Sequence, residues 1–210
     1  IDFPATFVDQ DDDSVAADYS ISLMSLPFAL LNYQVTPLPQ TFILNGADDK
    51  TALDPMLLED RDKPFIGLCW QGNPSNRNDV HRSLTLEELI PHLPSEATFF
   101  NLQISLTEQQ EKRLAAHQIV NFSEGLSTLT GTAAICARLD GVIAVDTSLC
   151  HLAGSLGIPT FLLLSLASDW RWGKSTDRTV WYNNTKLFKQ TSRDEWNAPL
   201  KSLKETLERD

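Results

Sequence analysis

From Phe65 onward the chain repeats one unit: a strand-length run of apolar residues, a polar loop and a helix-length segment. Phe65-Ile66-Gly67-Leu68-Cys69-Trp70 is the first run, followed by Ala97 to Leu102, a shorter one at Gln118 to Phe122, then Gly141 to Val145 and Thr160 to Leu164. A strand with one face in water alternates apolar and polar residues, whereas these runs scarcely alternate. Strands of that kind are buried on both faces, as in a parallel sheet covered by helices. Helices are expected from Thr85, where Thr85 and Glu88 have the spacing of a capping box, and over Thr107–Ala116, Thr128–Leu139 and Ser148–Leu156. Gly157 and Pro159 stop the last of these, and an amphipathic helix over Asp194–Glu208 closes the chain after a long, tryptophan-rich loop. The fold class is therefore α/β: a Rossmann-like parallel sheet of five strands with helices on both faces.

Residues 1–62 read differently. An acidic opening with Asp9, Asp11, Asp12, Asp13 and Asp18 leads to a short apolar piece, Ile21 to Leu31, and then to Pro37, Pro39 and Pro55. Such a segment cannot form a core alone. It is expected to be the remnant or tail of an N-terminal domain plus a linker, with residues 63–210 as the sheet domain and Ile1 as a processed or truncated end. The acidic opening lacks the glycine turn and closing glutamate of a calcium loop.

With 210 residues, 42% of them hydrophobic, the chain can bury one large core. The net charge of −11 argues against a nucleic-acid binder, which needs a basic face to neutralise phosphates. No apolar run reaches the ~18 residues of a membrane span. Cys69, Cys136 and Cys150 lie far apart in apolar stretches with no CxxC pair, which suits reduced, buried thiols in a cytoplasmic setting rather than disulfides or zinc.

Ligands of such sheets bind outside the carboxyl ends of the strands. Three loops there carry chemistry. Trp70 to Ser83 follows the first strand with Gly72, Asn73, Arg77, His81, Arg82 and Ser83, groups suited to phosphate or sugar. Asp146-Thr147-Ser148 runs straight from strand into helix, where Asp146 or Thr147 can cap, free amides can take an anion, and His151 follows one turn later. Asp169-Trp170-Arg171 follows the fifth strand, with rings for stacking and charges for hydroxyls or phosphate. Each has a plainer reading as a hydrophilic loop, a commonplace cap or a hydrophobic plug. No GxGxxG, GxxxxGK[ST], GxSxG or HExxH occurs.

Taken together, these residues resemble the bacterial heptosyltransferase-like glycosyltransferases, and most closely the branch often fused to tetratricopeptide repeats. The run Ile66 to Asn73 through His81-Arg82-Ser83, the stretch Asp146-Thr147-Ser148-Leu149-Cys150-His151-Leu152-Ala153, and Ala167 to Trp172 with Val180-Trp181-Tyr182 carry the resemblance in order, and Leu23-Met24-Ser25-Leu26-Pro27 extends it. The resemblance implies the C-terminal, donor-binding half of a two-domain GT-B enzyme. A nucleoside-diphosphate sugar would be held at its diphosphate by Arg82, Ser83, Asp146, Thr147, Ser148 and His151. Sugar or base contacts would come from Trp70, Gly72, Asn73, Gln103, Asp169, Trp170 and Arg171, with Glu124 to Thr132 near the base. Transfer to a glycan, lipid or protein acceptor would need no metal and no cofactor. The pattern departs at Gly131, where an acidic residue is expected, and the acceptor domain with its base is mostly missing. The alternatives are a non-catalytic nucleotide- or glycan-binding module and a sugar-nucleotide epimerase.

Overall fold

The computed structural model describes residues 62–122, 126–173 and 177–209. The reading of residues 1–62 as a domain tail, and of Glu124 as a base contact, lies outside these residues save for Asp62. The described chain builds six parallel strands: β1 (Phe65–Cys69), β2 (Thr98–Asn101), β3 (Val120–Asn121), β4 (Gly141–Val145), β5 (Thr160–Leu164) and β6 (Thr185–Lys189). Their order across the sheet is β3-β2-β1-β4-β5-β6. This is the doubly wound, Rossmann-like arrangement, and its strand order reverses between β1 and β4.

β6 corrects the expected five strands. Thr185-Lys186-Leu187-Phe188-Lys189 carries lysines at an edge position, so its polar residues hid it within the long loop. The closing helix is shorter than expected and starts at Asn197, because Asp194 sits at φ 57° in a turn. β3 shrinks to two residues.

Helices α1 (Asp79–Arg82), α2 (Leu86–Leu89), α3 (Glu108–Ala116), α4 (Leu129–Cys136), α5 (Ser148–Ser155) and α6 (Asn197–Leu207) complete the described fold. Thr85 accepts from the Glu88 amide and Glu88 reaches back to the Thr85 amide, so the expected capping box forms, though α2 is a single turn before a 3₁₀ turn at Ile90–His92. Thr107 and Gln110 make a second box at α3.

Two cores flank the sheet. On one face Phe65, Cys69, Val142, Ala144, Leu162 and Leu164 pack against α4 and α5 through Ile135, Cys136, Leu149 and Ala153. On the other, Ile66, Leu68, Ile143, Val145 and Leu163 pack against α2, α3 and α6 through Leu86, Leu89, Leu114, Leu200 and Leu203. Burying each such leucine stabilises the fold by about 1.5–3 kcal/mol before chain entropy is counted. Gly67 leaves room for Leu102 and Leu139, whose side chains would overlap any Cβ there. The three cysteines are free and buried, as read from the sequence. No helix among the described residues is long and apolar enough to cross a membrane.

Candidate functional site

The loops after β1 and β4 leave adjacent strands and turn to opposite faces of the sheet, which opens a crevice at the carboxyl edge. Arg82 spans it. Its Nη1 donates to the Asp146 carbonyl at the end of β4 (2.9 Å), and its Nε donates to Asp79 Oδ1 (2.9 Å). Both partners of the Asp79–Arg82 pair are largely enclosed, with side chains 12% and 20% exposed. Ser83 Oγ accepts from the Gly72 amide (2.9 Å), and the Leu84 amide donates to the Trp70 carbonyl (3.0 Å), which folds the loop back on the end of its strand. Gly72 leaves room for this pair, since a Cβ there would overlap Asp79 Oδ1 and the Arg82 guanidinium and push them aside. His81 pairs with Asp194 (2.8 Å) and ties the same loop to the turn before α6.

Across the crevice, Thr147 occupies the N-cap of α5 but makes no side-chain cap bond; its hydroxyl donates to the Val145 carbonyl instead (3.3 Å). The starts of α2, α3 and α4 are each closed by a threonine side chain, at Thr85, Thr107 and Thr128. The first-turn amides of α5 therefore lack the side-chain partner those helices have, and Ser148 is exposed beside them. Such amides, with the positive end of the helix dipole, attract an anion.

His151 lies half-buried one turn into α5. Trp172 stacks on its ring at 4.9 Å between centroids, and its Nδ1 is 3.1 Å from the Tyr182 hydroxyl. Burial pushes its pKa below the ordinary 6.5, with Asp146 and Asp169 opposing and Arg171 reinforcing the shift. Because the folded state disfavours the charged ring, its contribution to stability is full above pH 6.5 and is lost as pH falls from there through the depressed value. Urea midpoints are expected to drop over that interval and to drop less in His151→Gln. His92, lowered mainly by its own burial, supplies the part that remains.

Asp146, Cys150 and His151 bring ligand atoms within 4.8 Å of one another. As a metal centre the trio is poor. Cys150 Sγ donates to the Thr147 carbonyl (2.9 Å), burial holds its thiol far above the ordinary range, and one His151 nitrogen already faces Tyr182. Burial likewise pushes Cys69 up to about 11.

The expected sugar and base contacts divide. Gln103 Oε1 accepts from the Gln71 amide (3.1 Å) and lies 3.5 Å from Cys69 Sγ, so its side chain braces the first loop. Exposed Asn73 caps its own turn by accepting from the Ser75 amide (2.9 Å). Asp169 caps the 3₁₀ turn Trp170–Trp172 and pairs with Arg171 (2.8 Å), whose guanidinium sits 5.0 Å from the Trp170 ring centre. Trp170 is 62% exposed, and its ring meets that of Trp181 in a T-shaped arrangement at 6.5 Å between centroids. Trp70 is a correction. It shares a face with Ile66 and Leu68, so the pleat carries its ring into the core at 0% exposure, where it can stack on no ligand. Tyr182, assigned no role from the sequence, joins the site because Gly154 clears the space for its ring. The small residue opposite an aromatic is the signal, legible only once both are placed.

No protein-family model matches the chain. It is 30% identical over 133 residues to protein FlbA of Caulobacter vibrioides, an alignment that covers 60% of this chain and 22% of that protein. Among solved structures it is similar to the ADP-heptose LPS heptosyltransferase II of E. coli (TM-score 0.48, 16% identity, 73% of this chain and 48% of that one). It is also similar to E. coli heptosyltransferase WaaC with ADP-2-deoxy-2-fluoro heptose (0.47, 17%, 73% and 45%) and to a family 9 glycosyl transferase of Veillonella parvula (0.43, 14%, 68% and 40%). The chain thus spans about a fifth of the curated relative and less than half of these solved chains.

Proposed function

We propose that residues 63–210 are the donor-binding domain of a heptosyltransferase-like, GT-B glycosyltransferase that holds a nucleoside-diphosphate sugar for transfer to a glycan, lipid or protein acceptor. The observation that carries this reading is the crevice between β1 and β4. There an arginine tied to the end of β4 faces a helix start whose amides have no side-chain cap. A diphosphate seated there takes hydrogen bonds from the Ser148 and Leu149 amides, with Ser148 and His151 adding side-chain donors, while Thr147, whose hydroxyl is committed to the Val145 carbonyl, leaves those amides uncapped. Arg82, already engaged by Asp79 and the Asp146 carbonyl, contributes mainly its field and the position of Ser83.

The same groups stabilise charge that develops on the diphosphate as it departs, which is the preorganised form of electrostatic catalysis. This reading needs no metal. Trp170, with Asp169 and Arg171, offers a ring face and a charged pair for the sugar. The acceptor site and the catalytic base are assigned to residues outside 63–210. In a longer protein, tetratricopeptide repeats would present a protein or glycan acceptor, and the buried free thiols suit a reducing, cytoplasmic compartment.

Calorimetric titration of the chain with ADP, GDP, UDP and CDP tests the reading. One nucleotide is expected to bind, and Ser148→Pro, which removes a first-turn amide where proline is tolerated, is expected to weaken it at least 10-fold with the fold retained. A folded chain that binds none of the four sinks the proposal. Binding without any transfer by the full-length protein would favour the non-catalytic module.

A further inference from the structure

His151 is held from three directions. Its own helix places the ring one turn into α5, Trp172 stacks on one face at an interplanar angle of 16°, and Tyr182 meets its Nδ1 at 3.1 Å. Tyr182 is itself seated closely. Its ring lies over Gly154, where a Cβ would come within 2.6 Å of the ring carbon, so only glycine lets the phenol approach the helix. Trp172 and Tyr182 both come from the segment between β5 and β6, so that segment fixes the orientation of an imidazole belonging to α5.

A phenol has one hydrogen to give and two lone pairs with which to accept. An unprotonated imidazole nitrogen is a stronger acceptor than a phenol oxygen, and a phenol O–H is a stronger donor than a neutral imidazole N–H. The favoured direction therefore runs from the Tyr182 hydroxyl to His151 Nδ1. Burial supports this by raising the Tyr182 pKa and lowering that of His151, so that at neutral pH the phenol keeps its hydrogen and the imidazole is uncharged. The ring proton then resides on Nε2.

We propose that Tyr182 is a positioning residue that fixes His151 as the Nε2–H tautomer, so that a neutral imidazole presents a hydrogen-bond donor to a phosphate oxygen at the start of α5. The donor role rests on the nucleotide-binding reading above; the tautomer does not. Without Tyr182 the neutral ring is free to carry its proton on either nitrogen, and in the wrong tautomer it would turn a lone pair toward the anion.

The tautomer is read directly from two-bond ¹H–¹⁵N correlations of the ring in ¹⁵N-labelled protein, at a pH well above 6.5. The His151 signals are assigned by their loss in His151→Gln. In the wild type, Nδ1 is expected at the unprotonated position and Nε2 at the protonated one. In Tyr182→Phe, which keeps the ring over Gly154, both signals move toward the average of a mixture, and affinity for the bound nucleotide falls about 5- to 10-fold. Gly154→Ala, which displaces the phenol by another route, should shift the same two signals. A wild-type ring protonated on Nδ1, or a ring whose signals Tyr182→Phe leaves unmoved, overturns the proposal. If the wild type binds no nucleotide, the functional reading falls, and the tautomer measurement still decides the role of Tyr182.

Discussion

Arg82→Ala is expected to lower the unfolding free energy by about 2–3 kcal/mol, a large loss for a residue in a loop. Removing one member of an enclosed ion pair leaves the other uncompensated, at about 3–5 kcal/mol when burial is complete. Asp79 is 12% exposed and Arg82 20%, so solvent screening trims the figure. The loss includes the bond to the Asp146 carbonyl, and with it the link between the β1 loop and β4. Arg82→Lys keeps the charge but cannot donate to Asp79 and Asp146 from one planar fork, so it should recover less than half of the loss. Asp79→Asn alone should cost less, and the double variant should show coupling above about 1 kcal/mol. Urea midpoints at unchanged slope measure all four proteins. A change under 1 kcal/mol in Arg82→Ala would mean that the bridge is ornamental. Because this arginine is structural, loss of nucleotide binding in Arg82→Ala is interpretable only beside that measurement.

Trp172→Ala should be costlier still, at about 4 kcal/mol. Trp172 is 1% exposed, and truncating a buried tryptophan to alanine typically costs 3–5 kcal/mol through lost transfer energy and the cavity left behind. Loss of the stack on His151 adds to this. Trp172→Phe should cost far less. The indole Nε1 is buried without a hydrogen-bond partner, so removing it offsets part of the smaller ring's lost contact. Thermal or urea unfolding of the two variants separates ring volume from the polar atom; equal losses would mean that Nε1 is satisfied after all.

The strands that form the centre of the sheet were legible because burial on both faces removes alternation: β1, β4 and β5 read as continuous apolar runs. β6 was not, since Lys186 and Lys189 mark a strand at the sheet edge with solvent beside it, and that pattern matches a loop. The short helix α1 was missed for a related reason. Four residues carry no periodicity, and Asp79 and Arg82 look like loop charges until the geometry pairs them. In the site, the β4–α5 junction was readable from the order strand, Asp-Thr-Ser, helix. The absence of a cap bond at Thr147 was not, because a threonine at that position usually closes the helix and only the rotamer tells otherwise. Trp70 misled because it stands at the junction of strand and loop, where a side chain can turn either way, and its ring followed the face of Ile66 and Leu68 into the core.

The seam between β1 and β4 also governs how the chain must assemble. Within β1–β2–β3 and within β4–β5–β6, strands adjacent in the sheet follow one another along the chain. Across the seam, the Phe65 amide donates to Asp140 Oδ2 (2.8 Å) and the Asp140 amide donates to the Phe65 carbonyl, between residues 75 apart in sequence. Two half-sheets can thus form from nearby pieces, but their union closes a long stretch of chain. Closure entropy rises only slowly with length, yet such distant pairing is what retards folding. That union is fastened by Asp140 at one end and Arg82 at the other. A molecule bound in the crevice touches both halves, so its binding energy adds to their union rather than to either half alone.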